Sequence, residues 1–223
     1  AGKALVMVFL ALQLSSSGSR FAVVHPNGHV RVSVAAPGLH NALDAAGALS
    51  VAGALGVDLV AAAAGLADFT GAARRFERRG HAAGVEFVDD YAHLPTEVRA
   101  ALAAGRSGGW SRVVAVFQPH RYSRTQALWE EFATAFDQAD LLVLTDIYPA
   151  GEAPRAGVTG ELLLDAVRAA RPELAVRWAP TLDDVVDVLA DELRPGDLCM
   201  TVGAGDVTTL ADRVIERLGE ASQ

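Results

Sequence analysis

The chain has little sulfur, little positive charge and no apolar run long enough to cross a bilayer. One of its 223 residues is cysteine, Cys199. A lone thiol closes no intramolecular disulfide and builds no metal cluster, which points to a reducing compartment, and its apolar flanks mark a buried strand residue rather than a nucleophile. The apolar stretch 4–14 is interrupted only by Gln13 and falls short of the roughly 20 residues of a spanning helix. With Lys3 ahead of it and Ser15 to Gly18 behind, it imitates a short signal peptide. The rest of the chain has an ordinary cytosolic character, so the favoured expectation is a core strand or helix, or a ragged start. Lys and Arg number 19 against 27 Asp and Glu, a net charge of -8. That balance disfavours a general nucleic-acid or anionic-membrane binder, because both need broad positive potential. Any polyanionic ligand must be met locally. The sequence also lacks a Gly-rich phosphate loop ending in Lys-Ser/Thr, a metal-ligand spacing and a Ser, His and Asp triad pattern.

What is present is the profile of a soluble globular protein, 51% apolar and 21% charged, with length for one large domain or one domain and part of another. Val- and Phe-rich segments at 20–25 and 29–35 flank Pro26-Asn27-Gly28 and predict a β-hairpin. Pro37-Gly38 breaks the strand, and Asn41 is expected to cap an Ala-rich helix ending near Leu55. A second helical run reaches Leu66. The character changes after that, and we place a domain boundary near Ala67, giving parts 1–67 and 68–223. Beyond it strands are expected over 85–91, 112–118, 141–148, 175–178 and 197–202. Helices are expected over 95–104, 123–138, 159–170, 183–193 and 207–218. Strands apolar throughout, alternating with helices, predict a doubly wound, mostly parallel, Rossmann-like α/β sheet. Ligands of such sheets bind outside the carboxyl ends of the strands.

Those strand ends carry the ionisable residues. The first reads Asp89-Asp90-Tyr91-Ala92-His93-Leu94-Pro95-Thr96-Glu97. Neighbouring strand residues face opposite ways, so Asp89 and Asp90 are expected to do different jobs, one toward a ligand hydroxyl and one toward backbone. Glu97 suits the positive end of a helix starting near Pro95, and His93 is either a capping or surface residue or a functional one. The second strand end reads Gln118-Pro119-His120-Arg121-Tyr122-Ser123-Arg124-Thr125. The spacing puts His120, Arg121 and Arg124 on one face of a helix's first turn, where free N–H groups favour a phosphate or carboxylate. Each charge-assisted hydrogen bond there is worth roughly 1.5–3 kcal/mol. Positive charge at a helix start opposes the dipole unless a ligand or an acidic partner answers it, so the alternatives are an anion site, surface charge or a structural salt bridge. Arg74 and Arg75 either reach a polyphosphate or pair with acids such as Glu77. Gly203-Ala204-Gly205-Asp206 lacks the third glycine of a dinucleotide fingerprint and reads as a tight turn with Asp206 as helix cap. An NAD-dependent oxidoreductase would rest on that turn and the sheet pattern alone.

Taken in order, Pro37-Gly38-Leu39-His40-Asn41-Ala42-Leu43, Arg74-Arg75-Phe76-Glu77, the 89–98 run, the 118–125 run and 203–206 resemble the Mur ligases of peptidoglycan synthesis. The 89–93 and 118–125 runs are most similar to the branch that joins L-alanine to UDP-N-acetylmuramate. The resemblance covers the chain from about Ser19 to its end. It implies the carboxyl-terminal domain, with a remnant of the central ATP-binding domain, of a cytoplasmic ligase in cell wall biogenesis. Such an enzyme uses ATP and Mg2+ to form an acyl phosphate that alanine attacks. By position it implies His40, Asn41 and Asp44 around adenine, Arg75 on the phosphates and Asp90 near the ribose. Tyr91, His93, His120, Arg121 and Arg124 would line the cleft for nucleotide sugar and alanine, with His93 and Arg75 nearest the chemistry. The chain departs from the family at Leu94, where a second His is usual, and at Asp44, where Asn is usual. The amino-terminal UDP-sugar domain and the P-loop with its Mg2+ ligands have no counterpart in the 223 residues. The expectation is therefore a chain inactive alone. The rival is a noncatalytic module that binds nucleotide or carboxylate, or that pairs with a separate amino-terminal chain.

Overall fold

In a computed structural model, residues 8–25 and 28–220 are described. The chain divides into two compact units: Ala1–Ala72 with Ser107–Gly109, and Ala73–Arg106 with Trp110–Gln223.

The first unit holds three antiparallel strands, β1 (Val8–Ser15), β2 (Gly18–His25) and β3 (Gly28–Val34), in the order β1-β2-β3. The predicted hairpin is β2–β3, and its Pro26-Asn27 turn lies outside the described residues. From Val8 on, the apolar stretch 4–14 is a strand; its earlier residues are also outside the description. Strand alternation sends Phe21, Val23, Val30, Val32 and Val34 to one face. There they pack on Ala42, Ala45, Ala46 and Leu49 of α1 (Leu39–Ala54) and Ala63 of α2 (Leu59–Ala67). Asn41 does not cap α1. The helix starts at Leu39 behind Gly38, which turns the chain at φ 99°, a conformation glycine adopts without Cβ strain. Asn41 lies within the first turn, and its Nδ2 donates back to the Pro37 carbonyl at 2.6 Å.

The second unit is a six-stranded sheet in the order β4-β5-β9-β6-β7-β8. Its strands are β4 (Glu77–Ala82), β5 (Val85–Asp90), β6 (Arg112–Phe117), β7 (Leu141–Leu144), β8 (Ala175–Trp178) and β9 (Asp197–Val202). All pair in parallel except β4, which runs antiparallel along β5. Val113, Ala115 and Phe117 of β6 face one layer, containing α3 (Pro95–Arg106), α4 (Tyr122–Phe132) and α5 (Gly160–Ala170). Val114 and Val116 face the other, formed by α6 (Leu182–Glu192) and α7 (Leu210–Glu220). The sheet is thus covered on both faces, as its uninterrupted apolar strands require. No described helix is long and apolar enough to cross a membrane.

Several elements differ from expectation for identifiable reasons. β4 was not foreseen, because Glu-Arg-Arg-Gly-His-Ala has no apolar alternation; its charges suit an edge strand, where they discourage pairing with another chain. The strand expected to run to Tyr148 stops at Leu144, since Asp146 folds its Oδ1 back to accept from Ile147 N and Gly160 N. α4 ends at Phe132, not at Gln138. Asp206 is not a cap: it opens a short 3-10 turn, Asp206–Thr209, behind Gly205, and its Oδ1 accepts from Gln118 Nε2 at 2.7 Å.

Candidate functional site

After β5 and β6 the chain visits β7 and β8 and then returns to place β9 between the first two. In sheets with such a reversal ligands sit outside the carboxyl ends of the flanking strands, here β5, β9 and β6. Asp89 to His93, Gly203 to Asp206 and Gln118 to Arg124 all follow or end those strands.

At the β5 end the two aspartates face opposite sides. Asp89, fully buried, accepts from Arg74 Nε at 2.8 Å, Thr201 Oγ1 at 2.7 Å and Thr208 Oγ1 at 2.8 Å. Asp90 takes backbone donors, Phe76 N on Oδ2 at 2.9 Å and Ala92 N on Oδ1 at 2.8 Å. Arg74 also donates through Nη2 to the Gly203 carbonyl at 2.7 Å, and its guanidinium lies 4.9 Å from the Tyr91 ring centroid. Of the two arginines left open by the sequence, Arg74 is therefore tied to the fold. Arg75 is exposed, 5.7 Å from the same ring, and has no carboxylate partner among the described residues.

His93 follows, set by Glu97, whose Oε2 accepts from the backbone N of His93 and Leu94 at 3.0 and 3.2 Å. Its Nδ1 is 2.9 Å from the Tyr91 carbonyl. A carbonyl only accepts, so Nδ1 carries a hydrogen, and in the neutral ring Nε2 is then the acceptor. The His93 and His120 rings approach to 6.1 Å between centroids, so side chains from the β5 and β6 ends come together.

His120 has the opposite tautomer. Arg124 Nη1 donates to its Nδ1 at 3.0 Å and to its carbonyl at 3.1 Å, which leaves Nε2–H as a donor. Burial holds the imidazole pKa below its ordinary value, reinforced by Arg124, His93 and Arg121 and opposed by Glu152. Arg121 precedes the helix at φ 74°, a conformation that strains a side chain with a Cβ. Its N–H donates to the Tyr148 carbonyl at 2.9 Å. The guanidinium is half exposed and 3.9 Å from Glu152.

Glu152 answers the puzzle of positive charge at a helix start. Its Oε2 accepts from Ser123 N at 2.9 Å and its Oε1 from the Ser123 hydroxyl. These bonds hold its carboxyl below the ordinary glutamate value, with Arg155 and Arg121 adding to them. The acidic partner the helix start required is thus partly internal. Sequence reasoning missed Glu152 and Tyr148, whose ring stacks on His120 at 5.5 Å and 18°. The signal lay in 145–152, where Asp146, Pro149 and Gly151 break the pattern directly after an apolar strand, hidden by extending that strand to Tyr148. The adenine candidates lie in the first unit. His40 and Asn41 occupy the first turn of α1 with Nε2 and Nδ2 3.1 Å apart, and Asp44 is exposed on the next turn.

Comparison with known proteins places this geometry in a family. The model of the Mur ligase, glutamate ligase domain, matches residues 74–205. A UDP-N-acetylmuramate--L-alanine ligase of Desulforamulus reducens is 49% identical over 184 residues, covering 82% of this chain and 40% of that protein. One of Geobacter sp. strain M21 is 42% identical over 214 residues, covering 95% and 46%. The crystal structure of UDP-N-acetylmuramate-alanine ligase from Thermotoga maritima superposes with a TM-score of 0.80 at 25% identity, over 97% of this chain and 46% of that one. MurF from Acinetobacter baumannii, 20% identical with a TM-score of 0.73, shares the fold. The chain spans less than half the length of each of the two curated relatives. With more than half of its residues inside the family match, and with the parallel sheet and converging strand ends of the second unit, this chain belongs to the Mur ligase family.

Proposed function

We propose that this chain is the carboxyl-terminal portion of a cytoplasmic ATP-dependent ligase that adds L-alanine to UDP-N-acetylmuramate through an acyl phosphate. The first unit would be a remnant of its central domain. The observation that carries the reading is the approach of the His93 and His120 imidazoles, 6.1 Å between centroids, beside Arg124, which no carboxylate neutralises among the described residues. His93 Nε2 takes the proton shed as the amine attacks. The Nε2–H of His120, with Arg121 and Arg124, holds the carboxylate and phosphate oxygens, and Tyr91 walls the cleft. Catalysis is then positioning and charge stabilisation in a partly desolvated hollow.

ATP, when bound, supplies the phosphoryl group that activates the muramic carboxylate. Arg75 fits it, being a guanidinium without an internal acid partner. The resemblance alone assigns His40, Asn41 and Asp44 to adenine and Asp90 to the ribose; both oxygens of Asp90 already accept backbone N–H groups, from Phe76 and Ala92. The described residues gather no group of His, Cys, Asp or Glu for a metal ion; Mg2+ ligands are assigned to the enzyme outside this chain, and no step here runs through them.

The test is phosphate release with UDP-N-acetylmuramate, L-alanine, ATP and Mg2+. The chain alone is expected to show no alanine-dependent turnover, and turnover by it overturns that part of the reading. In the full-length enzyme Arg121→Ala is expected to raise KM for both muramate and alanine; unchanged kinetics refute the anion role.

A further inference from the structure

Tyr148 has been given no role in the cleft, yet its backbone bonds to both neighbours of His120 and its ring stacks on the imidazole. The two residues form an isolated parallel bridge, with Tyr148 N donating to the Pro119 carbonyl at 2.8 Å and Arg121 N to the Tyr148 carbonyl at 2.9 Å. Their rings stack at 5.5 Å with only 18° between planes. Behind Tyr148 stands Gly205, where a Cβ would come within 2.6 Å of the tyrosine Cγ and 2.8 Å of its Cβ, and within 2.4 Å of Gln118 Oε1. Any larger residue there must push the tyrosine or break the bond from Val207 N to Gln118 Oε1.

We propose that Tyr148 is a positioning residue that holds the His120 imidazole flat, and that Gly205 is glycine so that Tyr148 can lie there. The proposal deepens the assignment of His120 to ligand binding and rests on it. Arg124 restrains the ring within its own plane through Nδ1, and Tyr148 restrains its tilt. Together they leave Nε2–H one direction. The work is done by the ring rather than the phenol, because the Tyr148 hydroxyl has no hydrogen-bond partner among the described residues. The stack also shields His120 from water, adding to the burial that disfavours its protonation. The charged and titratable groups bearing on it are Arg124, His93, Arg121 and Glu152.

The experiment is NMR titration of this chain with 13C-labelled histidine, the His120 signal being the one lost in His120→Gln. In the unsubstituted protein His120 is expected to titrate below 6.5 and to show the ring-current shift of a stacked imidazole. Tyr148→Phe should leave both unchanged. Tyr148→Ala should raise the midpoint towards 6.5 and abolish the ring-current shift, and Gly205→Ala should move both in the same direction. The proposal is overturned if Tyr148→Ala keeps midpoint and shift while the amide spectrum stays native, or if Tyr148→Phe changes them as much as Tyr148→Ala. If Tyr148→Ala does not fold, Tyr148→Leu, which keeps bulk without the ring, and Gly205→Ala give the same two-way readout. Added L-alanine and inorganic phosphate separate the two claims: a His120 signal blind to both but dependent on Tyr148 sinks the ligand assignment and supports the positioning.

Discussion

Replacing Asp89 by Ala tests whether one buried carboxylate ties the crevice to the sheet. The side chain is 0% exposed and accepts from Arg74 Nε, Thr201 Oγ1 and Thr208 Oγ1. A hydrogen bond to a charged group is worth about 1.5–3 kcal/mol, so three would sum well above what a single truncation costs. Two of the stranded donors recover something. Thr201 keeps the Val88 carbonyl at 3.4 Å. Arg74 keeps the Gly203 carbonyl at 2.7 Å and is 23% exposed, so water reaches it. What remains is an ion pair broken on its buried side, for which about 3–5 kcal/mol is typical.

The assay can be confined to the right unit. The three tryptophans, Trp110, Trp129 and Trp178, all lie in the second unit, so their fluorescence follows its unfolding alone. With a urea dependence of about 2 kcal/mol per molar, the midpoint should fall by about 2 M in Asp89→Ala. Thr208→Val, which removes one donor and leaves the ion pair, should lose about 1.5–3 kcal/mol. A loss in Asp89→Ala of less than about 1 kcal/mol would refute the reasoning, because Arg74 would then be held by something other than this carboxylate.

Three further outcomes are expected. Arg121→Gly should be more stable than Arg121→Ala by about 1 kcal/mol in the same assay, since glycine relieves the strain at φ 74°; equal stability would mean that the backbone there is unstrained. Glu152, held low by Ser123, contributes stability that is complete above its ordinary value of 4.5 and is lost as pH falls through its folded value. Urea midpoints of Glu152→Gln should therefore lack that acid-side decline, and parallel curves for both proteins would refute the cap. Burial pushes the Cys199 thiol up to about 12, so a thiol reagent should label it only in step with unfolding; fast labelling of the native chain would contradict a buried β9.

The parallel sheet was legible because β6, β7 and β9 are apolar on both faces and separated by amphipathic helices, a pattern with few other solutions. The charged strand ends were legible for the same reason: Asp89 to His93 and His120 to Arg124 stand out against apolar strands. Three things were not. β4 owes its existence to pairing with β5 and to Arg74 and Glu77, which hold its entrance; no local preference of Glu-Arg-Arg-Gly-His-Ala announces it. Glu152 reaches Ser123 from 29 residues away, a contact that spacing within one element cannot show. Gly205 looked like part of a turn, but its role is steric and depends on where Gln118 and Tyr148 arrive.

The arginines around the crevice look alike in the sequence, and the structure sorts them by what already neutralises each one. Arg74 is paired with buried Asp89 and spends its charge on the fold. Arg121 is only half paired: Glu152 stands 3.9 Å away while spending both oxygens on Ser123, and the guanidinium stays half exposed. Among the described residues, Arg124 donates to the His120 imidazole and has no carboxylate partner, and Arg75 meets an aromatic face and no acid. On the proposed function an incoming anion gains most from the last two, because it displaces no carboxylate of the described residues to reach them. Arg121 gains selectively, since a ligand there must outdo Glu152. On the proposed function the -8 net charge of the chain favours a site that holds an anion by close contact rather than one that draws it from a distance, which the crowding of His93, His120 and Arg124 at two strand ends would supply.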